Sequence, residues 1–144
     1  MDIEDLSCGA CPVGRGLARA GDTWSMLILR NAGMGQTRFD QFQKSLGIAP
    51  NILTRRLSAL VAAGMLERRR YSEHPPRDEY VLTEAGRGYL PVLHALGGWA
   101  RKHFGGGAMT RPVEAGSGRE IVPVVVDAGT GVPLADLAIA LALP

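Results

Sequence analysis

Apolar residues recur at helical spacing through most of the first hundred residues and alternate in one short region. That change of period predicts helices interrupted by a β-hairpin. Leu53, Leu57, Leu60 and Val61 fall on one stripe of a helix running from about Pro50 to Ala63. With about 100° per residue, Asn51, Arg55 and Ser58 lie opposite that stripe, and Thr54 and Arg56 flank them. A shorter helix over Thr37 to Leu46 comes before it, with Phe39 and Phe42 inward, and Gly47-Ile48 makes the tight turn between the two. Thr37 is expected to cap this helix, with Asp40 as its capping-box partner. A strand from Leu66 to Tyr71 follows, then a loop holding Pro75, Pro76 and Arg77, then a return strand from Glu79 to Leu82.

Two helices frame this unit on its N-terminal side. One runs from Val13 to Ala20, with Leu17 and Ala18 expected inward and Arg15 and Arg19 outward. The other runs from Thr23 to Asn31 behind an Asp22 cap and places Trp24, Met26, Leu27 and Ile28 in the core. After the hairpin, Thr83 caps a long helix reaching about His103, in which Pro91 predicts a kink. Its Tyr89, Leu90, Leu93, Leu96 and Trp99 supply more apolar surface than one small domain covers. A dimer interface is therefore expected through Leu90, Leu93, Leu96 and Trp99. The fold class is mainly α with a small β-wing (α+β): a dimeric winged helix-turn-helix with a C-terminal β-hairpin-like appendage. Residues 1–104 are expected to form the DNA-binding and dimerisation domain. Residues 105–144 form a Gly linker and a β-rich extension, with strands over Arg119 to Val126 and Val132 to Leu134 and a short apolar helix or strand after them.

Charge sharpens this picture. The whole chain of 144 residues carries a formal net charge of only +2. Between Arg38 and Arg77, however, eight Lys or Arg stand against three Asp or Glu, so positive charge gathers on the segment whose shape suits DNA. Asn pairs bidentately with adenine, and Arg with guanine O6 and N7, so the outward face of the second helix suits base reading. The expected DNA contacts are Arg38, Asn51, Thr54, Arg55, Arg56, Arg69, His74 and Arg77, with the wing tip directed to a minor groove. The alternative for that helix face is an ordinary solvated surface, and the basic hairpin beside it decides against that.

The remaining chemistry is sparse. Cys8 and Cys11 lack the second pair a structural zinc requires, and His74, His94 and His103 have no ligand spacing, so no metal or other cofactor is expected. Cys11 precedes Pro12 at the start of a helix, where the helix terminus and Arg15 would favour a thiolate; it reads either as a reactive sensor thiol or as a half-buried packing residue. No Ser-His-Asp set, carboxylate pair or P-loop appears, so no enzyme is expected. A thiol redox enzyme using Cys8 and Cys11, and a winged helix that binds protein instead of DNA, are the competing classes. No run of about 18 apolar residues is present, which predicts no membrane span. The acidic start, Met1 to Asp5, is unlike a signal peptide, which predicts a cytoplasmic location.

The residues Cys11-Pro12, Trp24 to Leu29, Arg38-Phe39, Leu53 with Arg56-Leu57, Gly64-Met65-Leu66 and Pro75 to Gly86 together resemble the HxlR-type bacterial transcriptional regulators of the MarR-like group. The resemblance covers roughly Cys11 to Phe104. It implies a homodimer on a pseudo-palindromic double-stranded DNA operator, acting more often as a repressor. It also implies an oxidant effector sensed at Cys11, as in several relatives, or a small molecule bound at the dimer interface. The chain departs from the family pattern at Ile48-Ala49-Pro50-Asn51, where many members carry a Ser cap at the recognition helix.

Overall fold

The computed structural model describes residues 2–144, and the stripe of Leu53, Leu57 and Leu60 is wholly buried in it. These leucines belong to α5 (Pro50–Ala62), which packs against α3 (Thr23–Gly33), α4 (Phe39–Leu46) and strand β1 (Leu66–Glu73). Ile28 and Leu29 from α3 and Phe42 from α4 complete the core, all at zero exposure. Gly47 links α4 to α5 with φ of 62°, the left-handed conformation that glycine adopts without strain. Pro50 opens α5 at its first turn, where the missing N–H costs nothing.

Several local expectations are corrected. A helix not expected from the sequence, α1 (Ile3–Cys8), precedes Cys11. In α2 (Pro12–Ala20), Gly14 and Ala20 are buried, while Leu17 is 53% exposed and points out. Leu17 lies on the same side of the helix as Gly14 and Ala20, about 60° from each, yet only these small residues are buried in the packing. In α3 the helix runs two residues past Asn31. Trp24, Met26 and Leu27 are only half-buried; Ser25 and Asn31 take the buried positions beside Ile28 and Leu29. Asn31 is satisfied there: its Nδ2 donates to Ser45 Oγ at 2.9 Å and to Gln36 Oε1 at 3.2 Å, which ties α3 to α4. Helix α4 starts at Phe39 with Arg38 as N-cap, and Gln41, not Asp40, closes the box. The Gln41 Oε1 accepts from the N–H groups of Thr37 and Arg38 at 2.9 and 3.0 Å.

Strands β1 and β2 (Pro76–Leu82) pair antiparallel from Leu66 opposite Leu82 to Glu73 opposite Pro76, with an irregularity between Arg70 and Ser72 that leaves Tyr71 out of register. The hairpin is therefore longer than expected. Pro76 and Arg77 lie in β2, and only His74 and Pro75 form the tip. The hairpin is also fastened to the helices, because Tyr80 N–H donates to the Thr37 carbonyl at 2.7 Å. Helix α6 (Glu84–Phe104) begins under a Thr83 cap: Thr83 Oγ1 accepts from Gly86 N–H at 3.1 Å and donates to the Gly64 carbonyl at 2.6 Å. Gly86 itself is buried because the first turn of α6 lies against the Met65 carbonyl and the Leu82 side chain. Helix α6 continues through Pro91.

The chain forms two compact units, Met1–Leu90 and Pro91–Pro144, so the division falls within α6. In the second unit the expected pair of strands is replaced by two isolated bridges, Val113 with Glu120 and Val126 with Pro133, and by a 3₁₀ turn at Leu134–Asp136. Each bridge closes over the same loop, and the sequence repeats with it: Val113-Glu114-Ala115-Gly116-Ser117-Gly118 and Val126-Asp127-Ala128-Gly129-Thr130-Gly131. In the first loop Glu114 N–H donates to the Arg119 carbonyl at 2.8 Å and Gly118 N–H to the Glu114 carbonyl at 2.9 Å. Their counterparts are Asp127 to Val132 at 2.9 Å and Gly131 to Asp127 at 2.7 Å. Ser117 and Thr130 hydroxyls donate to the acidic side chain three residues before them. Gly118 and Gly131 take φ of 70° and 73°. The repeat is visible in the sequence but obscured by its exchange of Asp for Glu and Thr for Ser.

A Cβ at position 86 would collide with the Met65 backbone carbonyl, which cannot swing aside as a side-chain end would. Gly86→Ala is expected to destabilise the first unit by about 1–3 kcal/mol through overpacking. Thermal and urea unfolding measure it, and an unchanged midpoint would refute the close approach.

Candidate nucleic-acid interface

Burying Leu53, Leu57 and Leu60 leaves Asn51, Thr54, Arg55 and Ser58 exposed together on α5. Thr54 Oγ1 donates back to the Pro50 carbonyl at 2.9 Å, which holds its methyl and hydroxyl in a fixed orientation beside Asn51. Arg55 is exposed and has no ion-pair partner among the described residues. Arg56 stands apart from this group. It is half-buried, and its Nε lies 3.5 Å from Asp22 Oδ1 at the N-cap of α3. Burial raises the pKa of Asp22, but hydrogen bonds from Ser25 and the charge of Arg56 outweigh it, so the carboxyl sits below its ordinary value. A depressed carboxylate pKa stabilises the folded chain above about pH 4, and that contribution disappears as the pH falls through the folded value.

The wing is less basic than its run of arginines suggests. The span from Arg38 to Arg77 stops one residue short of Asp78 and Glu79, which the register places opposite Arg70 and Arg69. Asp78 takes both outer arginines. Arg68 Nε donates to Oδ2 at 2.8 Å, and Arg70 Nε donates to Oδ1 at 2.9 Å. The Arg70 hydrogen bond, reinforced by Arg68, outweighs desolvation and holds the Asp78 carboxyl below its usual range. Arg69 forms a two-pronged pair with Glu67 on its own strand, at 3.0 and 3.2 Å, and this hydrogen bond likewise depresses Glu67. Arg69 therefore does not provide an unpaired basic row. All of these pairs are solvent-exposed, so each contributes little to stability and is exchangeable for a phosphate.

What the wing presents unpaired is its tip and its root. His74 is exposed at the tip, and Arg77 is exposed beside it in β2, opposite Ser72 across the hairpin. At the root, the guanidinium of Arg38 lies 4.5 Å above the centroid of the Tyr71 ring. Tyr71 is a residue that the sequence pattern gave no reason to single out. The irregularity between Arg70 and Ser72 frees its side chain from strict alternation and turns it toward the start of α4. The ring thereby holds a cation that would otherwise be a flexible surface side chain.

Cys8 and Cys11 are both exposed. Cys11 is the N-cap of α2, with Sγ accepting from Gly14 N–H at 3.4 Å. The expected approach of Arg15 to that thiol is not what the structure shows: Arg15 Nε donates to the Gly9 carbonyl at 2.7 Å, and its Nη2 to the Cys8 carbonyl at 3.3 Å. On α6, Leu90 fills the space a Cβ on Gly33 would need, so it belongs to the packing of the first unit. Leu93 is half-buried, and Leu96 and Trp99 are exposed. No helix among the described residues is long and apolar enough to cross a membrane.

The HxlR-like helix-turn-helix family model matches residues 20–106 of the chain. An HTH-type transcriptional regulator of Mycobacterium tuberculosis, Rv3095, is 43% identical over 106 residues, which is 72% of this chain and 67% of that protein. The crystal structure of PA1607, described as a candidate transcription factor, superposes with a TM-score of 0.84 at 40% identity and covers 94% of this chain and 98% of that one. The redox regulator HypR in its oxidised form superposes with a TM-score of 0.59 at 32% identity and covers 65% of this chain and 97% of its own. The region after α6 is thus shared with PA1607 and lies beyond the likeness to HypR.

Asp78→Asn should release Arg68 and Arg70 and raise affinity for random-sequence DNA. The slope of log affinity against log salt should steepen by about one ion, the amount expected for one more phosphate contact. Titration at three salt concentrations checks this. An unchanged slope would mean that the pair does not restrain the wing's charge.

Proposed function

The chain belongs to the HxlR-like helix-turn-helix family, and from that premise we propose that it is a homodimeric repressor that reads a pseudo-palindromic operator. The observation that carries this reading is the exposed set of Asn51, Thr54 and Arg55 on the one helix face that the core cannot use. In this reading Asn51, Thr54 and Arg55 meet base edges in the major groove, and Arg38, steadied on Tyr71, meets a phosphate. Arg77 and His74 reach the flanking minor groove, and Arg69 exchanges Glu67 for the backbone. Arg56 acts at one remove, by fixing α5 against Asp22. The second copy is accepted along α6, through Leu93, Leu96 and Trp99, with Leu90 anchoring the helix beneath them. The expected separation of recognition helices is one turn of DNA, about 34–36 Å.

Selection from random duplexes tests this. Two-fold symmetric half-sites should be enriched. Arg55→Ala should lose about 1–3 kcal/mol of specific binding and relax one base position, and Arg38→Ala should weaken all sequences alike. Absence of any enriched sequence, or equal loss of specific and random binding in both variants, would remove the base-reading assignment. A monomeric mass at micromolar concentration would remove the dimer.

A second strand of the proposal concerns the effector. Cys11 is exposed at a helix start, where its Sγ accepts a backbone N–H, and HypR is by its name a redox regulator. Oxidation by diamide would join two thiols as a disulfide, passing two electrons and two protons to the diazene. Operator affinity of wild type and Cys11→Ser, with and without diamide, is the measurement. The wild type should respond and the variant should not. If wild-type affinity is unchanged, Cys11 is a packing residue and the signal is a small molecule.

A further inference from the structure

Among the described residues from 91 to 144 none is buried, although the segment is rich in large apolar side chains. It is nonetheless folded, since its two loops carry matching hydrogen bonds and the region is shared with PA1607 at high superposition. A folded unit without an interior must complete one against something else. Three exposed groups need cover. On α6, Val92, Leu96 and Trp99 form a stripe at helical spacing. Between the two loops, Val122, Val124 and Val125 are exposed in an extended run, and no backbone N–H of these three donates to another backbone group among the described residues. From Leu137 onward the sequence alternates strictly: Ile139, Leu141 and Leu143, at 63%, 93% and 92% exposure, are interleaved with Ala138, Ala140 and Ala142. That is the sequence pattern of a strand with one apolar face, although the segment pairs with no strand among the described residues.

We propose that residues 91–144 are a self-association module, in which the apolar segment 137–143 of one subunit seats, as an added strand, on the α6 stripe and valine run of a second copy. The proposal rests on the homodimer reading above for the presence of that copy and adds a surface which HypR-like relatives lack. Charge selects the occupant. This segment carries four Lys or Arg and four Asp or Glu, so it neither repels its own copy nor attracts DNA or an anionic membrane surface. Two of its ion pairs, Arg101 with Glu120 at 2.9 Å and Arg119 with Glu114 at 3.7 Å, are satisfied internally, leaving the apolar groups as the feature to be matched. The surface is also self-complementary, as a two-fold interface requires, because it offers both an inserting strand and a helix face with unpaired strand edge to receive it. The area is sufficient. Covering the nine named side chains at roughly 60–120 Å² each removes roughly 500–1,100 Å² per subunit, against about 800 Å² per partner in a standard interface. The twin loops have a role in this arrangement: they brace the valine run at both ends, so that it is presented as a preformed edge.

The test uses the full chain without DNA. Leu141 and Leu143 are almost fully exposed in the subunit, so Leu141→Asp with Leu143→Asp leaves the subunit fold intact, as an unchanged thermal midpoint of the winged helix at low concentration will verify. Sedimentation equilibrium should show the double variant dimerising about 100-fold more weakly than wild type. Amide exchange of residues 138–143 should be slow in wild type above the dissociation constant and fast below it. A dimer constant equal to that of wild type, or protection independent of concentration, overturns the proposal. Leu96→Asp keeps the two readings apart. If it weakens the dimer while the tail variant does not, the homodimer stands and the tail proposal fails; if wild type is monomeric, both fail.

Discussion

Everything at the DNA-facing surface depends on the burial of three leucines. Leu53, Leu57 and Leu60 have one place to go, the cavity between α3, α4 and β1, and filling it sets the rotation of α5 about its own axis. A rotation of one residue, about 100°, would expose a leucine and bury Arg55. Full burial of three aliphatic side chains stabilises the fold by roughly 1.5–3 kcal/mol each, and an unpaired buried guanidinium would cost more again, so the wrong rotation is not accessible. The polar face is thus positioned by apolar packing elsewhere. Gly47 and the Asn31-Ser45-Gln36 hydrogen bonds then fix the angle at which α4 meets it.

The electrostatics follow a different logic. A basic hairpin in isolation would repel itself and bind any polyanion. Here Asp78, Glu67 and Glu73 pair with three of its arginines at the surface, in contacts that cost little to open. Arg55, Arg38 and Arg77 have no ion-pair partner among the described residues, and Arg38 is held by an aromatic face that carries no charge. The family match makes this a transcriptional regulator with a helix-turn-helix, and the pairing pattern gives its wing a charge that responds to what is bound.

Much of this was legible in the sequence, for a physical reason. Leucines at i, i+4 and i+7 with Thr, Arg and Ser between them leave a helix one way to lie, and the run Leu66 to Leu82 alternates with turn residues in its middle. What could not be read depended on partners distant in the chain. Leu17 looks like a core residue until Gly14 and Ala20 are seen to form the packed face. Counting charge up to Arg77 missed Asp78 because only the register reveals which strand residues face each other. Gln41 replaces Asp40 in the capping box because the helix starts one residue later than Thr37 suggests, and a longer amide then spans the distance. The division of the chain within α6 has no composition signal, since the helix pattern continues through it. The duplicated loop was legible and needed only a comparison of the segment with itself.

The bond from Tyr80 N–H to the Thr37 carbonyl has a mechanical meaning. It joins the returning wing strand to the residue preceding the N-cap of α4, so the hairpin is a cantilever clamped at its base to the helix pair. Its tip and the α5 face are then held at one separation, like the two jaws of a fixed-gap gauge. A gauge that does not flex passes the adjustment to the object measured. In the complex proposed above, groove width and roll would have to meet the set gap, and base pairs touching no side chain would still influence affinity through how readily they deform.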